Sequence, residues 1–444
     1  VAFHKYFGGG KMSENEYRID SNDINPWEMY KNAPNRSIIC VDMRCFYASC
    51  MAMLAKLDPL KVPIAVVGNL QQKGSIVLAA SPPMKERFRI QTGSRLYEIP
   101  DHPDIKLFTP KMEFFIKMSM EITNLINQIV PKEAIHVYSV DESFVDLTGT
   151  EKLWGPPEET AKSIQSSIYS QFQIPNAVGM GPNMLMAKLA LDLEAKKEGF
   201  AKWTYEDIPK KLWPVAPLSE MWGIGRRIER ALNNLGIYTV GDLAHADLSM
   251  LENHFGVMGN QLYYHAWGID LSPLEAHAEE PISFGKGQLL TRDYGSCREI
   301  LVVILEMCED IARRAREAFQ VGRTISLGVR YSKNVFGGGF HRSHTIDEPT
   351  NDTMKIYKVC KRLLEAYYVE KPVRQLSISI SNLESEHSMQ LSLFDEQKWK
   401  KRKLGETMDY LRSKHGSTAI LRAVSYTEAG TAVARSELIG GHQK

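Results

Sequence analysis

Two short runs, far apart in the chain, carry the strongest constraint on its fold. Ile38-Ile39-Cys40-Val41 is apolar and breaks at Asp42. Val137-Tyr138-Ser139-Val140 breaks at Asp141-Glu142, and Ser143-Phe144-Val145-Asp146 follows. Runs this short, rich in β-branched and aromatic residues, read as buried strands. Each delivers acidic side chains where the apolar run stops, so a sheet holding both strands can bring three carboxylates together.

The neighbouring segments supply the rest of such a sheet. Phe46–Leu57 reads as a helix stopped by Pro59, and Phe114–Val130 as a second helix stopped by Pro131. Ile135–Leu147 reads as two strands around the acidic pair, Pro157–Phe172 as a helix, and Ala177–Met180 as a strand leading to a helix that ends near Lys197. With 59–112 set aside as an insertion, the order is strand–helix–strand–strand–helix–strand, the split βαβ or ferredoxin-like pattern. That pattern predicts helices on one face of the sheet and carboxylates on the open face. The insertion contains two short strands, Pro63–Gly68 and Ser75–Ala80, and a charged helix at Met84–Arg89. Beyond Trp203 strand signals vanish and short helices with glycine turns take over. A helix at Cys297–Phe319, a strand at Thr324–Tyr331, a helix at Thr353–Tyr367 and a strand at Gln375–Ser381 then form a separate α/β unit.

Composition excludes several classes. A chain of 444 residues exceeds one core and suggests about three or four domains. The formal net charge of +1 means that any basic surface is local. Six cysteines, at 40, 45, 50, 297, 308 and 360, form no C-x-x-C pair, so neither a zinc ribbon nor a disulfide framework is expected. The longest strongly apolar stretch, near Ile300–Leu305, is too short to span a bilayer, and no secretory pattern opens the chain. The expected setting is the reducing cytoplasm, with no membrane partner.

Three carboxylates suit hard divalent cations. Mg²⁺ takes oxygen ligands, often one or two carboxylates plus substrate phosphates. Two such ions can activate an attacking hydroxyl and steady a leaving pyrophosphate. Asp42, Asp141 and Glu142 are therefore the candidate catalytic and metal-binding residues. At Val41-Asp42-x-x-x-Phe46-Tyr47-Ala48-Ser49 and Ser139-Val140-Asp141-Glu142 the chain resembles the Y-family (translesion) DNA polymerases, most closely the bacterial UmuC-like branch with its UvrX-type members. The resemblance runs from about Ser37 into the C-terminal region. It implies two Mg²⁺ ions held by Asp42, Asp141 and Glu142, with the Met43 carbonyl as a backbone ligand. It further implies that Tyr47 lies under the nucleotide sugar, where a planar ring leaves no room for a 2′-hydroxyl, and that Phe46 packs beside it as part of the nucleotide site.

Other motifs extend the resemblance and depart from it. Val178-Gly179-Met180-Gly181-Pro182-Asn183-Met184-Leu185-Met186-Ala187-Lys188 is similar to the family's Gly-x-Ser-x-Asn-Lys-x-Leu-Ala-Lys motif, whose last lysine, matched by Lys188, contacts the incoming triphosphate. Gly181 stands for the usual Ser and Met184 for the first Lys. The family's Tyr-x-x-Arg triphosphate clamp is absent from Ala80–Arg87, where Lys85 or Arg87 could substitute. Trp222-Gly223-Ile224-Gly225-Arg226-Arg227 looks like a helix–hairpin–helix, with Gly223, Gly225 and Arg226 the candidate DNA-binding residues. Arg292, Arg298, Arg313, Arg314, Arg316, Arg323, Arg330 and Arg342 give the α/β unit a basic character, similar to the family's little finger. Gln390-Leu391-Ser392-Leu393-Phe394 closely resembles the bacterial sliding-clamp pentapeptide, with Gln390, Leu391, Leu393 and Phe394 as anchors.

The expectation is thus an α+β multidomain chain shaped like a right-hand polymerase. It would comprise an N-terminal extension (1–36), a ferredoxin-like palm (37–58 and 113–204), small fingers (59–112) and a helical thumb with the hairpin motif (205–270). A linker (271–288), an α/β little finger (289–383) and a C-terminal tail with the clamp motif (384–444) complete it. The resemblance implies low-fidelity, template-directed DNA synthesis past damage from dNTPs on primer–template DNA, with the sliding clamp as partner and a UmuD-like accessory protein left open. The competing readings are a catalytically weak, clamp-tethered DNA-binding factor and a nucleotidyl cyclase on a similar sheet.

Overall fold

The apolar run Ile38–Met43 (β1) forms the centre of a five-stranded sheet in the computed structural model. The structure describes residues 30–31, 33–274, 281–388 and 396–443, and the chain divides into two compact units, one within Gly10–Ala278 and the other within Glu279–Gly441. The clamp-like residues Gln390, Leu391, Leu393 and Phe394 lie outside the described residues.

In the first unit, β1 is followed by α1 (Phe46–Leu54). A small sheet comes next, with β2 (Ile64–Val67) between β3 (Val77–Ala80) and β4 (Lys106–Phe108), and α2 (Pro82–Phe88) follows β3. Then come α3 (Met112–Ile126), β5 (Ile135–Val137), β6 (Glu142–Asp146), α4 (Pro157–Phe172), β7 (Asn176–Gly181), α5 (Met184–Ala190) and β8 (Phe200–Lys202). The main sheet runs β5-β6-β1-β7-β8. Its first four strands have the order expected of a split βαβ unit, with β1 antiparallel to both β6 and β7; β8 adds a parallel edge.

The open face expected for the carboxylates is not there. Cys40 and Phe144, paired across β1 and β6, share a face with Asp42 and Glu142 because side chains alternate along strands. That face packs in one buried cluster with Leu185, Ala187, Leu189 and Leu191 of the α5 region. Ile39, Val41, Val145 and Val178 fill the opposite face and are also buried. Both faces are therefore covered, and the acids emerge only at the strand ends. The same cluster continues through Trp203, Ile208 and Leu218 into α6 (Arg226–Asn233), α7 (Val240–Ala244), α8 (Leu248–Phe255) and α9 (Val257–Ala266). Part of the expected loose N-terminal extension is also fixed: Tyr30 stacks on Tyr205 with ring centroids 4.6 Å apart and donates to the Trp267 carbonyl at 2.8 Å.

The second unit is a four-stranded antiparallel sheet, ordered β11-β10-β12-β9, under two helices. Its elements are β9 (Ser283–Tyr294), α10 (Cys297–Glu317), β10 (Gln320–Tyr331), β11 (Gly339–Thr350), α11 (Thr353–Tyr367) and β12 (Val373–Ser385). Two strands depart from expectation. Residues 283–288, read as linker, are the start of β9, and β11 was not anticipated. The tail is not a free extension either. Helix α12 (Glu396–His415) and the chain after it close on this unit: Arg412 and Arg422 pair with the buried Glu309 at 3.0 and 2.8 Å, and Thr431 bonds Gln288 and Glu306 at 2.9 and 2.7 Å.

Candidate active site

Asp42 and Glu142 sit directly opposite each other on β1 and β6. The Met43 amide donates to the Asp141 carbonyl at 2.8 Å, which ties the strand end carrying Asp42 to the turn carrying Asp141. Ser139 donates to Asp141 Oδ1 at 2.6 Å, and the Cys40 thiol donates to Glu142 Oε1 at 3.0 Å. The three acids named from the sequence are thus gathered by strand register and one backbone hydrogen bond.

Cations from the α5 region meet them. Lys188 Nζ lies 2.6 Å from Glu142 Oε1 and 3.3 Å from Asp192 Oδ1. Lys196 Nζ lies 2.7 Å from Asp192 Oδ1 and 4.0 Å from Asp42 Oδ2. Asp192 and Lys196 were not singled out in the sequence, although 188, 192 and 196 repeat at four-residue spacing, the signature of one helix face. Between them the helix widens into a π turn at Leu191–Ala195. Gly179 and Gly181 explain how this helix comes so close to β7. A Cβ on Gly179 would collide with the Ala187 carbonyl and the Leu191 amide, and one on Gly181 would lie 2.7 Å from the Ala187 amide. Asn183 caps α5 by accepting from the Met186 amide at 2.8 Å and donates to the Gly268 carbonyl at 2.8 Å.

Burial gives the acids an unusual charge balance. Asp42 is pushed up to about 6, mainly by desolvation and further by Glu142 and Asp141, against the opposing pull of Lys196 and Lys188. Lys196 is raised because the acids outweigh its own desolvation, Asp42 first and Asp192 next. Burial, assisted by Glu142, drives the Cys40 thiol well up, which keeps it protonated.

The donor set fits a hard divalent cation: carboxylate oxygens with a main-chain carbonyl nearby, crowded enough that a neighbouring acid disfavours ionisation of Asp42. Among the described residues no three Asp, Glu, His or Cys side chains already stand at metal-ligand spacing. The lysine amines lie against the carboxylates instead.

Tyr47, on the first turn of α1, is half-buried and stacks on Phe115 at 4.4 Å with rings 11° from parallel. Burial and the nearby Asp141 raise its phenol. Phe46 is only 2% exposed and tilts against both Tyr47 and Phe115, so it backs the Tyr47 ring and offers no surface of its own. Lys85 is exposed, with Nζ 3.5 Å from Cys45 Sγ, whereas Arg87 is paired with Asp104 at 3.0 Å.

Gly223 has φ of 98°, a left-handed value that favours glycine, and Gly225 precedes the first turn of α6 with open space where a side chain would be. Gly225, Arg226 and Arg227 are exposed, while Ile224 anchors the turn in the core. In the second unit Arg292, Arg313, Arg314, Arg316 and Arg323 are held in internal ion pairs. Arg298, Arg330 and Arg342 are exposed. The sheet face away from the helices is lined by Thr324, Ser326 and Gly328 of β10 and by Ser377, Ser379 and Ser381 of β12, with Arg330 beside Gln375.

Acids at a strand end with lysines alongside, on a split βαβ sheet followed by a glycine hairpin, form a layout suited to nucleotidyl transfer. The impB/mucB/samB family model matches residues 41–192, its C-terminal domain 281–393, and its helix–hairpin–helix motif 205–237. The chain is 55% identical over 417 residues to the "Putative UV-damage repair protein UvrX" of Bacillus subtilis, covering 93% of this chain and 99% of that one. "DNA polymerase IV 2" of the same organism is 38% identical over 413 residues (92% and 98% covered), and its namesake from Halalkalibacterium halodurans is 35% identical over 414 (92% and 100%). The chain belongs to the impB/mucB/samB family, the Y-family of DNA polymerases.

Proposed function

We propose that this DNA-directed DNA polymerase performs translesion synthesis: the primer 3′-hydroxyl attacks the α-phosphate of a dNTP, and pyrophosphate leaves. The observation that carries this reading is Asp42 opposite Glu142 across β1 and β6, with Asp141 tied by its carbonyl to the Met43 amide. Asp42, Asp141, Glu142 and the Met43 carbonyl would hold two magnesium ions, which when bound supply charge neutralisation and an acidified 3′-hydroxyl. Tyr47, braced by Phe115 and Phe46, would occupy the floor beneath the sugar beside Asp141. Lys188 would hold Glu142 in position and face the phosphates.

Grip on the duplex would be divided. Gly223, Gly225 and Arg226 offer amides and charge to a phosphate. The Ser-, Thr- and Gly-lined face of the second sheet can approach a backbone closely, with Arg330 on it. The clamp-like peptide at Gln390-Leu391-Ser392-Leu393-Phe394 would recruit the chain to a sliding clamp, and a UmuD-like partner stays open. The domain division set out from the sequence, with residues 283–288 and 396–431 joined to the second unit, and a cytoplasmic location belong to the same reading. Among the described residues no helix is long and apolar enough to cross a membrane.

Primer extension with Mg²⁺ on damaged and undamaged templates tests the chemistry. Asp141→Ala and Glu142→Ala should each reduce extension by at least about a thousandfold, and near-normal extension by both would sink the assignment. The lysines lying against the carboxylates support a second reading, a weakly catalytic DNA-binding factor. Its mark is DNA and clamp binding with no extension by the wild-type chain.

A further inference from the structure

We propose that Cys40 is a positioning residue of the acid cluster: together with Lys188 it occupies Glu142 Oε1, leaves Oε2 alone to a divalent cation, and thereby favours Mg²⁺ over Ca²⁺. The inference rests on the metal-site reading above.

Glu142 meets two donors on one oxygen. The Cys40 thiol reaches Oε1 at 3.0 Å and Lys188 Nζ reaches it at 2.6 Å. Neither bonds Oε2. Strand register sets this arrangement. Cys40 stands two residues before Asp42 on β1, and its cross-strand partner Phe144 stands two residues beyond Glu142 on β6. Cys40 and Glu142 are therefore diagonal neighbours on one face of the sheet, within reach of a long side chain.

The surroundings of Cys40 give its hydrogen one destination. The residue is fully buried in the apolar cluster that holds Phe144, Leu185 and Leu189. Among the described residues Glu142 is its hydrogen-bond partner, and a thiol has a single hydrogen to give. A charged acceptor makes this bond shorter and stronger than a thiol's ordinary contacts. An apolar side chain would suit the packing equally well. It would, however, leave Oε1 to Lys188 alone, which Asp192 also draws, at 3.3 Å.

The consequence lies in how Glu142 can meet a cation. Ca²⁺ accepts chelating carboxylates in a large, flexible shell, whereas Mg²⁺ demands a small, near-ideal octahedron. Two hydrogen bonds on Oε1 hold Glu142 to single-oxygen binding. Loss of one of them frees the carboxylate to turn and chelate, which favours the larger ion. A cysteine that only fills space would leave the choice of ion untouched.

The experiment uses the full chain as wild type, Cys40→Ala and Cys40→Ser. Alanine and serine are close in volume and differ by the donor. Mn²⁺, the paramagnetic stand-in for Mg²⁺, is bound to the complex with dideoxy-terminated primer–template and dNTP. Its displacement by Ca²⁺ is followed by electron paramagnetic resonance. In Cys40→Ala, Ca²⁺ should displace Mn²⁺ about tenfold more readily than in wild type. Primer extension by this variant with Mg²⁺ should show kcat lowered about tenfold and KM for dNTP unchanged. Cys40→Ser should stay within about threefold of wild type in both readouts. Unchanged ion selectivity in Cys40→Ala overturns the proposal. An equal change in Cys40→Ser overturns it too, because lost volume then explains the effect. Cys40→Val fills the space without a donor and should follow Cys40→Ala; wild-type selectivity in this variant denies the bond its role. Glu142→Gln separates the two layers. If it leaves Mn²⁺ binding at wild-type strength, the metal-site reading and this inference fall together. If it weakens Mn²⁺ binding while Cys40→Ala keeps wild-type selectivity, only this inference falls.

Discussion

Asp42 is the residue at which fold and chemistry pull apart. Its carboxyl is raised to about 6, so the folded state favours the protonated acid. The sign follows directly: the unfolded carboxyl titrates near 4, so this contribution is fully present below about pH 4 and is lost as pH rises to about 6. The shift corresponds to about 3 kcal/mol. Cation-free wild type should therefore lose more stability than Asp42→Asn between pH 4 and 6, and added Mg²⁺ should restore stability most above pH 6. Parallel melting profiles for the two proteins would refute it. At this scale the acids were legible because apolar runs stop at them. Lys196 was not: its four-residue spacing from Asp192 was a hint, but eight residues of regular helix carry 196 about 80° past the face of 188, and only the π turn at Leu191–Ala195 brings it back.

The α5–β7 contact is the element that sets the height of both lysines. Gly179→Ala would drive a methyl into the Ala187 carbonyl and Leu191 amide, backbone atoms that cannot turn aside. The expected cost is about 3 kcal/mol or loss of soluble protein, measured by urea unfolding; a loss below about 1 kcal/mol would mean the helix can lift from the sheet. The glycines were read only as part of a motif whose last lysine meets the triphosphate, and their packing role became visible only with the helix in place. Strands were less legible where their inward side is polar. In β9 the inward row is Phe284, Lys286, Gln288 and Leu290, and Gln288 is buried because Thr431 satisfies it. Residues 341–345 of the edge strand β11 are all exposed, so no alternation marks it. In contrast, β1 and β6 have apolar residues on both faces and stood out at once.

For the molecule as a whole, the unexpected feature is how late sequence completes the second unit. Glu309 is 8% exposed and is neutralised by Arg412 and Arg422, while Arg316 is held by Asp409 at 2.7 Å. Removing one partner leaves a buried charge uncompensated, which typically costs about 3–5 kcal/mol. Since Arg422 remains to share Glu309, Arg412→Ala should cost about 2–3 kcal/mol. Replacing Glu309 and Arg412 together should cost less than the sum of the single changes. Strict additivity in chemical denaturation would show that the pair does not interact. A polar, charge-rich stretch after β12 reads as a tail because nothing in its composition announces buried partners on a helix made much earlier. There is a consequence for biosynthesis. Gln288, Glu306 and Glu309 leave the ribosome long before Arg412, Arg422 and Thr431 exist, so the nascent unit spends that interval with an unmatched acidic seam. A product that stops short of Arg412 would leave Glu309 without either of its cations and Gln288 without Thr431.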